Sequence, residues 1–190
     1  MGSLPHNSVA GATATGTHGS GDSNGILSTA IRAVELVTAD GSLVTVDRSN
    51  PDLAAVAVGL GAFGIVTRVT LDIGPSFFVR QDVYRGAPWD VVVGSLDEVM
   101  ASAYSVSVMT DFASPAFGAI WQKAVTEPDA DPAAAPRSLY GGTWDDDADL
   151  QADHNLNPRA GVPGPWSERI PHFPLDSEPS AGGDELQSEY

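Results

Sequence analysis

The sequence contains no cysteine, which excludes disulfides, thiolate zinc sites and cysteine nucleophiles together. It also lacks an apolar stretch of about 18 residues, the length that a membrane-spanning helix needs. The first residues show neither a basic start nor a continuous apolar run, so they do not form a secretion signal. We therefore expect a cytoplasmic chain without a membrane span.

Basic side chains are scarce. Nine Lys and Arg residues stand against 25 Asp and Glu residues, which gives a formal net charge of −16. Such a surface repels phosphate backbones, so nucleic acids and anionic membranes are disfavoured as partners. The hydrophobic content of 42% is enough for a globular core, and 190 residues suit one domain or two small lobes.

Metal-binding patterns are also missing from the sequence. The four histidines show no metal-ligand spacing with one another or with nearby carboxylates. The run from Asp145 to Asp147 is more typical of a solvated acidic loop than of a cation site. We therefore expect no metal.

A glycine-rich stretch, GATATGTHGSGDSNG, covers residues 11–25. Glycine tolerates positive φ and lets backbone N–H groups approach a ligand, so this composition suits an anion cradle. It suits a flexible linker equally well, and a lone loop histidine such as His18 is more often structural than catalytic. No lysine follows as in a P-loop, and no apolar strand precedes as in a Rossmann fingerprint. The stretch alone therefore leaves cradle and linker open, and excludes the two standard nucleotide-binding motifs.

Hydrophobic periodicity predicts the first elements. Two alternating runs around an Asp-Gly pair predict a hairpin over residues 33–48. Residues 49–59 predict a helix whose first residue is Pro51. Residues 65–73 predict a well-buried strand.

Residues 77–125 predict the order β-α-β-β, which is half of a ferredoxin-like layer. Residues 126–165 are rich in proline, alanine and aspartate and show no regular period, which indicates either a long irregular surface segment or a disordered connector. The prolines of residues 162–173 indicate a clamped irregular stretch, and residues 183–190 resemble the first half of a strand.

Three longer motifs occur in order along the chain: SLPHNSVAGATATGTHGSG (3–21), ELVTADGSLVTV (35–46) and LGAFGIVTRVTL (60–71). Together they resemble the FAD-linked oxidase family, which has the vanillyl-alcohol-oxidase-like flavin fold and includes alditol (xylitol) oxidases, L-gulonolactone oxidases and D-arabinono-1,4-lactone oxidases. Three later stretches resemble the alditol branch more than the lactone oxidases: AYSVSVMTDF (103–112), GVPGPWSERIPHF (161–173) and ELQSEY (185–190).

The resemblance implies an α+β fold. Residues 1–74 correspond to the second, C-terminal subdomain of the family's two-subdomain, PCMH-type FAD-binding domain. Residues 75–190 correspond to the first part of a ferredoxin-like substrate (cap) domain, interrupted by the acidic, proline-rich segment at about 126–165.

The resemblance also implies an activity. Family members bind FAD, transfer hydride from a CH–OH carbon to the flavin and use O2 as acceptor with release of H2O2. The alditol branch implies a polyol substrate that is oxidised at a terminal carbinol, and a sugar-1,4-lactone oxidase is the alternative. Ser3 is expected to contact the polyol. Contacts to FAD are expected from Ser3, Ser8, Gly11, Thr15, Gly16, Thr17, His18 and Val66.

The family's catalytic Glu-x-Arg pair and a late lysine match positions beyond Tyr190. The subdomain whose histidine attaches covalently to the flavin matches positions before Met1. We therefore expect a fragment without catalytic residues of its own, which binds FAD weakly and is inactive alone. The alternative from another class is a non-catalytic product, or a module that complements a separately encoded N-terminal half.

Overall fold

The computed structural model describes residues 7–148 and 157–172 of the chain. The described residues divide into two units, one with residues 7–19 and 25–75, the other with residues 20–24, 76–148 and 157–172. Each unit contains its own antiparallel sheet together with short helices. The chain therefore combines α and β structure, as the sequence predicts.

The first unit is a three-stranded sheet with the strand order β2-β1-β3. Buried Val34 and Leu36 on the central strand pack beside Ala57 on the second helix, and these residues form the core of the unit. Its elements are α1 (Val9–Ala14), a 3-10 turn (Leu27–Ala30), β1 (Ile31–Val37), β2 (Leu43–Asp47), α2 (Leu53–Ala57) and β3 (Ile65–Leu71).

The predicted hairpin is confirmed, because β1 and β2 pair antiparallel around the Asp-Gly turn. The Asp40 carboxylate accepts the Thr38 hydroxyl at 2.6 Å and the Ser42 N–H at 3.0 Å, and Gly41 takes a φ of +82°. These hydrogen bonds, the one from the Thr38 hydroxyl first, hold the pKa of Asp40 below its usual range. Local side-chain bonding of this kind explains why the turn is readable from sequence.

Two expectations for this unit are wrong. Helix α2 begins at Leu53 rather than at Pro51, because the Asn50 side chain accepts the Asp52 N–H at 2.9 Å and continues the preceding turn. Strand β3 is mostly exposed rather than well buried, with Ile65 75% exposed. It lies at the edge of the sheet, and periodicity does not distinguish an edge strand from a central one.

The second unit has a sheet with the strand order β5-β6-β4-β8-β7, and β9 pairs with β4. Its elements are β4 (Phe78–Arg85), α3 (Trp89–Gly94), α4 (Leu96–Ala101), β5 (Ser105–Met109), β6 (Ala119–Thr126), a 3-10 turn (Pro132–Ala134), β7 (Ser138–Leu139), β8 (Gly142–Trp144), β9 (Gly164–Pro165) and α5 (Trp166–Arg169). Because β4 and β5 are both antiparallel to β6, they run parallel to each other.

The helix expected after Pro88 is divided into α3 and α4 at Ser95, directly after Gly94. Glycine in a helix interior costs about 1 kcal/mol relative to alanine, which favours a break at this point. Val92 and Val99 nevertheless bury against Tyr84, so both helices cover one face of the sheet.

The acidic, proline-rich segment contains regular structure that its composition does not reveal. Its β7–β8 hairpin extends the sheet, because β8 pairs with β4. Buried Arg80 pairs with Asp82 at 2.8 Å and also donates to the carbonyls of Asp131 and Pro132 at 3.0 and 2.8 Å. Trp144 donates its indole N–H to Asp82 at 3.0 Å. Long-range contacts therefore order this segment.

The stretch at 162–173 carries β9 and α5 as far as it is described, to residue 172. The strand expected at residues 183–190 lies outside the described residues.

Candidate functional site

Helix α1 gives the glycine-rich stretch a definite structure. The Ser8 hydroxyl caps the helix by accepting the Gly11 N–H at 3.1 Å. At the other end Gly16 takes a φ of +70°, the Thr17 N–H donates to the Ala12 carbonyl at 3.0 Å, and the Gly16 N–H donates to the Thr13 carbonyl at 3.3 Å. This pair of bonds is a Schellman motif with glycine at its left-handed position. Residues 8–17 are therefore a capped helix, not a linker.

The loop after α1 presents polar groups to solvent. The hydroxyls of Thr15 and Thr17 lie 3.2 Å apart. The ring Nδ1 of exposed His18 lies 3.0 Å from the Gly19 carbonyl. The N–H groups of His18 and Gly19 have no acceptor among the residues that the structure describes. Two exposed donors beside two hydroxyls can bind an external oxygen, such as that of a phosphate or a ribityl chain.

The third sequence motif, LGAFGIVT, meets this loop in the same unit. The Leu60 N–H donates to the Ala14 carbonyl at 3.3 Å. A small cavity of about 30 Å³ lies beneath, and both Ala14 and Val66 line it. Gly64 has a φ of +145°, and a Cβ there would lie 2.3 Å from the Val37 carbonyl oxygen, so this turn requires glycine. Motifs that are far apart in sequence thus form one surface.

The structure brings together most of the predicted site residues. The residues on α1, its cap and the following loop are Ser8, Gly11, Thr15, Gly16, Thr17 and His18. Val66 lies on the strand that lines the cavity beneath α1. Ser3 lies outside the described residues. The flavin contacts of these residues stay predictions.

A second polar cluster, in the other unit, was missed by the sequence analysis. Lys123 on β6 is 4% exposed, and burial, followed by the nearby charge of Arg159, lowers its pKa to about 7. Burial and the charges of Lys123 and Arg159 lower the pKa of His172 to about 3. The available sequence signal was the alternation of Ala119, Trp121 and Lys123, which places a lysine on a buried face.

Neither unit offers an evident metal centre or membrane helix. Within residues 7–148 and 157–172, no group of three or more His, Asp or Glu side chains is placed to hold a metal ion. In the same residues, none of the helices has the length and apolar character needed to cross a bilayer.

Comparison with known proteins identifies relatives of the whole chain. No family model matches it. Alditol oxidase of a Streptomyces species is 43% identical over 196 aligned positions, which cover 100% of this chain and 45% of the relative. The chain belongs to the FAD-linked oxidase family.

Other members of the family align over shorter parts of the chain. D-arabinono-1,4-lactone oxidase of Debaryomyces hansenii is 28% identical over 76% of the chain and 25% of its own length. L-gulono-1,4-lactone dehydrogenase of Mycobacterium tuberculosis is 42% identical over 45% of the chain and 20% of its own length. The chain therefore spans less than half of the length of these relatives.

Proposed function

We propose that the chain is part of an FAD-dependent oxidase of sugar alcohols, which oxidises a terminal CH–OH group with O2 and releases H2O2. The supporting observation is the 43% identity to alditol oxidase across all of the chain. A sugar-1,4-lactone oxidase is the second candidate, because the lactone dehydrogenase reaches 42% identity over 85 residues. The lactone oxidase that covers more of the chain, 76%, is only 28% identical, so the polyol substrate has the stronger support.

In this proposal residues 1–74 form the C-terminal part of an FAD-binding domain, and residues 75–190 form the first part of a ferredoxin-like substrate domain. The change of unit between residues 75 and 76 supports such a boundary. The parallel relation of β4 and β5 with β6 between them supports a split β-α-β arrangement.

The surface formed by α1, its loop and the LGAFGIVT turn fits an FAD wall. Small residues allow a cofactor to lie against the main chain, and the hydroxyls of exposed Thr15 and half-buried Thr17, with the His18 and Gly19 N–H groups, supply hydrogen bonds. FAD supplies the redox chemistry when bound. The residues named here would hold and orient it, and Ser3 would contact the polyol.

A chimeric enzyme tests the proposal. The aligned part of the Streptomyces alditol oxidase is replaced by this 190-residue chain, and the purified chimera is examined for bound flavin and for H2O2 formed from xylitol. We expect a yellow protein with xylitol-dependent peroxide formation. The 190-residue chain alone is the control, and we expect weak FAD binding and no turnover. A folded, flavin-loaded chimera that oxidises neither polyols nor sugar lactones contradicts the proposal.

A further inference from the structure

The chain contains a single lysine, and that lysine is buried. Lys123 is 4% exposed in a protein with a net charge of −16, where a lysine on the surface would meet favourable charges. Its Nζ donates a hydrogen bond to the backbone carbonyl of Ile170. A buried ammonium group normally requires a paired carboxylate or several acceptors. The position of Lys123 therefore needs an explanation.

Residues 157–172, here called the strap, cover Lys123 and the neighbouring Trp121. The Arg159 guanidinium lies 4.3 Å from the centre of the Trp121 ring, and the His172 ring packs edge-on against the same ring at 5.2 Å. The first and last residues of the strap are joined by a hydrogen bond, which the Asn157 N–H donates to the His172 carbonyl at 3.0 Å. It is also tied to β4, because the Gly161 N–H donates to the Gln81 carbonyl at 2.8 Å.

Within residues 7–148 and 157–172, the charged groups that act on Lys123 are cationic. Arg159 and His172 approach it from the strap. Its Cα partners on the neighbouring strands, Gln81 and Ser105, are uncharged, and the buried Gln81 side-chain nitrogen has no hydrogen-bond partner among the described residues. Two ion pairs also lie near the strap in the described part of the chain: Arg80 with Asp82 beside Gly161, and Arg169 with the exposed Glu168.

We propose that the strap opens and closes in a proton-linked manner, and that Lys123 is the group that takes up the proton when the strap opens. In the closed state Nζ is desolvated and faces Arg159, so the neutral amine is favoured. Opening exposes Nζ to water, and the amine then binds one proton from the solvent. The same opening exposes Trp121 and the face of the sheet on which it lies.

The pKa values of Lys123 in the closed and open states determine how opening of the strap depends on pH. Lys123 has a pKa of about 7 when closed and its ordinary value of 10.5 when open. Between these values the open state holds one proton more, so opening is favoured as the pH falls and opposed as it rises. Over this window the opening constant changes by up to about tenfold per pH unit. Below it, His172 adds a further uptake between its ordinary 6.5 and about 3.

Hydrogen exchange of the full 190-residue chain tests the proposal. Protection factors, corrected for the intrinsic exchange rate, are measured at the amides of Gly161 and Ile170 between pH 7 and pH 9. We expect protection to rise by up to about tenfold per pH unit. The Val99 amide in α4, which donates to the Ser95 carbonyl at 2.9 Å and lies on the opposite face of the sheet, is the internal control and should show no such slope.

Variants separate proton uptake from simple packing. Lys123→Met, which keeps the length but cannot bind a proton, should give high protection that does not depend on pH. Lys123→Arg, which stays charged, should give low protection that does not depend on pH. If the methionine variant does not fold, Lys123→Gln replaces it. A flat wild-type profile, a slope that persists in the neutral variant, or an equal slope at Val99 overturns the proposal.

Discussion

At the scale of single residues, the glycine-rich stretch shows how one residue ends a helix. Gly16 is the left-handed residue of a Schellman motif, and a Cβ built there would lie 3.4 Å from Val58 Cγ1. The glycine content of this stretch indicated positive φ, but it did not reveal which structure requires that conformation. The reason is α1, whose mixture of alanine, glycine and threonine gives only a weak helix signal.

Gly16→Ala should lower the free energy of unfolding by about 1–2 kcal/mol, because an L-residue is strained in the left-handed region. Gly74→Ala is the matched control, since a Cβ there meets nothing within 4 Å and its φ is not positive. Chemical denaturation of both variants measures the difference. An equal effect at the two positions would mean that the Gly16 conformation carries no strain.

Thr17→Val should weaken flavin binding by the chimeric oxidase about tenfold, which corresponds to the loss of one hydrogen bond. Valine keeps the shape of the side chain and removes the hydroxyl. Thr45→Val, at an exposed position on β2, is the control and should leave the flavin dissociation constant unchanged. Both constants are measured by fluorescence titration with FAD in chimeras whose flavin-attaching histidine is replaced by alanine, and identical values would remove Thr17 from the proposed site.

At the scale of elements, the sequence predicted the structures that interactions between neighbouring residues determine. The β1–β2 hairpin was predicted because Asp40, Gly41 and Thr38 fix the turn by themselves. The exposure of β3 was not predicted, because it depends on which strand occupies the edge of the sheet. The β7–β8 hairpin was not predicted either, because it is held by strand β4, which is distant in sequence: β8 pairs with Tyr84 and Arg85, and Trp144 donates to Asp82.

Asp82→Asn tests that long-range link. It leaves the buried Arg80 guanidinium without its counter-charge, and we expect a loss of about 3–5 kcal/mol in the free energy of unfolding. Asp72→Asn is the matched control, because Asp72 pairs with Arg48 at the surface and its side chain is 43% exposed. An exposed pair contributes less than about 1 kcal/mol. Similar losses for both variants would contradict the role given to the buried pair.

The candidate site was predictable in part for the same reason. The six residues from Ser8 to His18 are close in sequence, so any local element brings them together. Only the family resemblance placed these residues and the LGAFGIVT turn in one site, because no periodicity relates Ala14 to Leu60. The Lys123 cluster was not predicted, because its partners Arg159 and Ile170 come from an irregular, proline-rich segment.

At the scale of the whole molecule, two buried groups determine how stability depends on alkaline pH. Lys123 has a pKa lowered to about 7, so stability rises with pH from there to 10.5. Burial, followed by the charge of Asp82, raises the pKa of Tyr84 from 10.0 to about 12, so stability falls with pH across that range. We therefore expect maximum stability near pH 10, between the ordinary pKa values of the two groups.

Thermal unfolding between pH 6 and pH 11 measures this profile. In Lys123→Met the rise between about pH 7 and pH 10 should disappear, while the decline above pH 10 remains. A wild-type maximum between pH 6 and pH 7 would contradict the assignment.

We propose that this chain is part of an oxidase of sugar alcohols. The most direct measurement compares initial rates of H2O2 formation by the flavin-loaded chimera with xylitol and with D-arabinono-1,4-lactone, at equal concentrations and under air. We expect H2O2 to form faster with xylitol than with the lactone. A rate that is higher with the lactone, or equal to the background with both substrates, would contradict it.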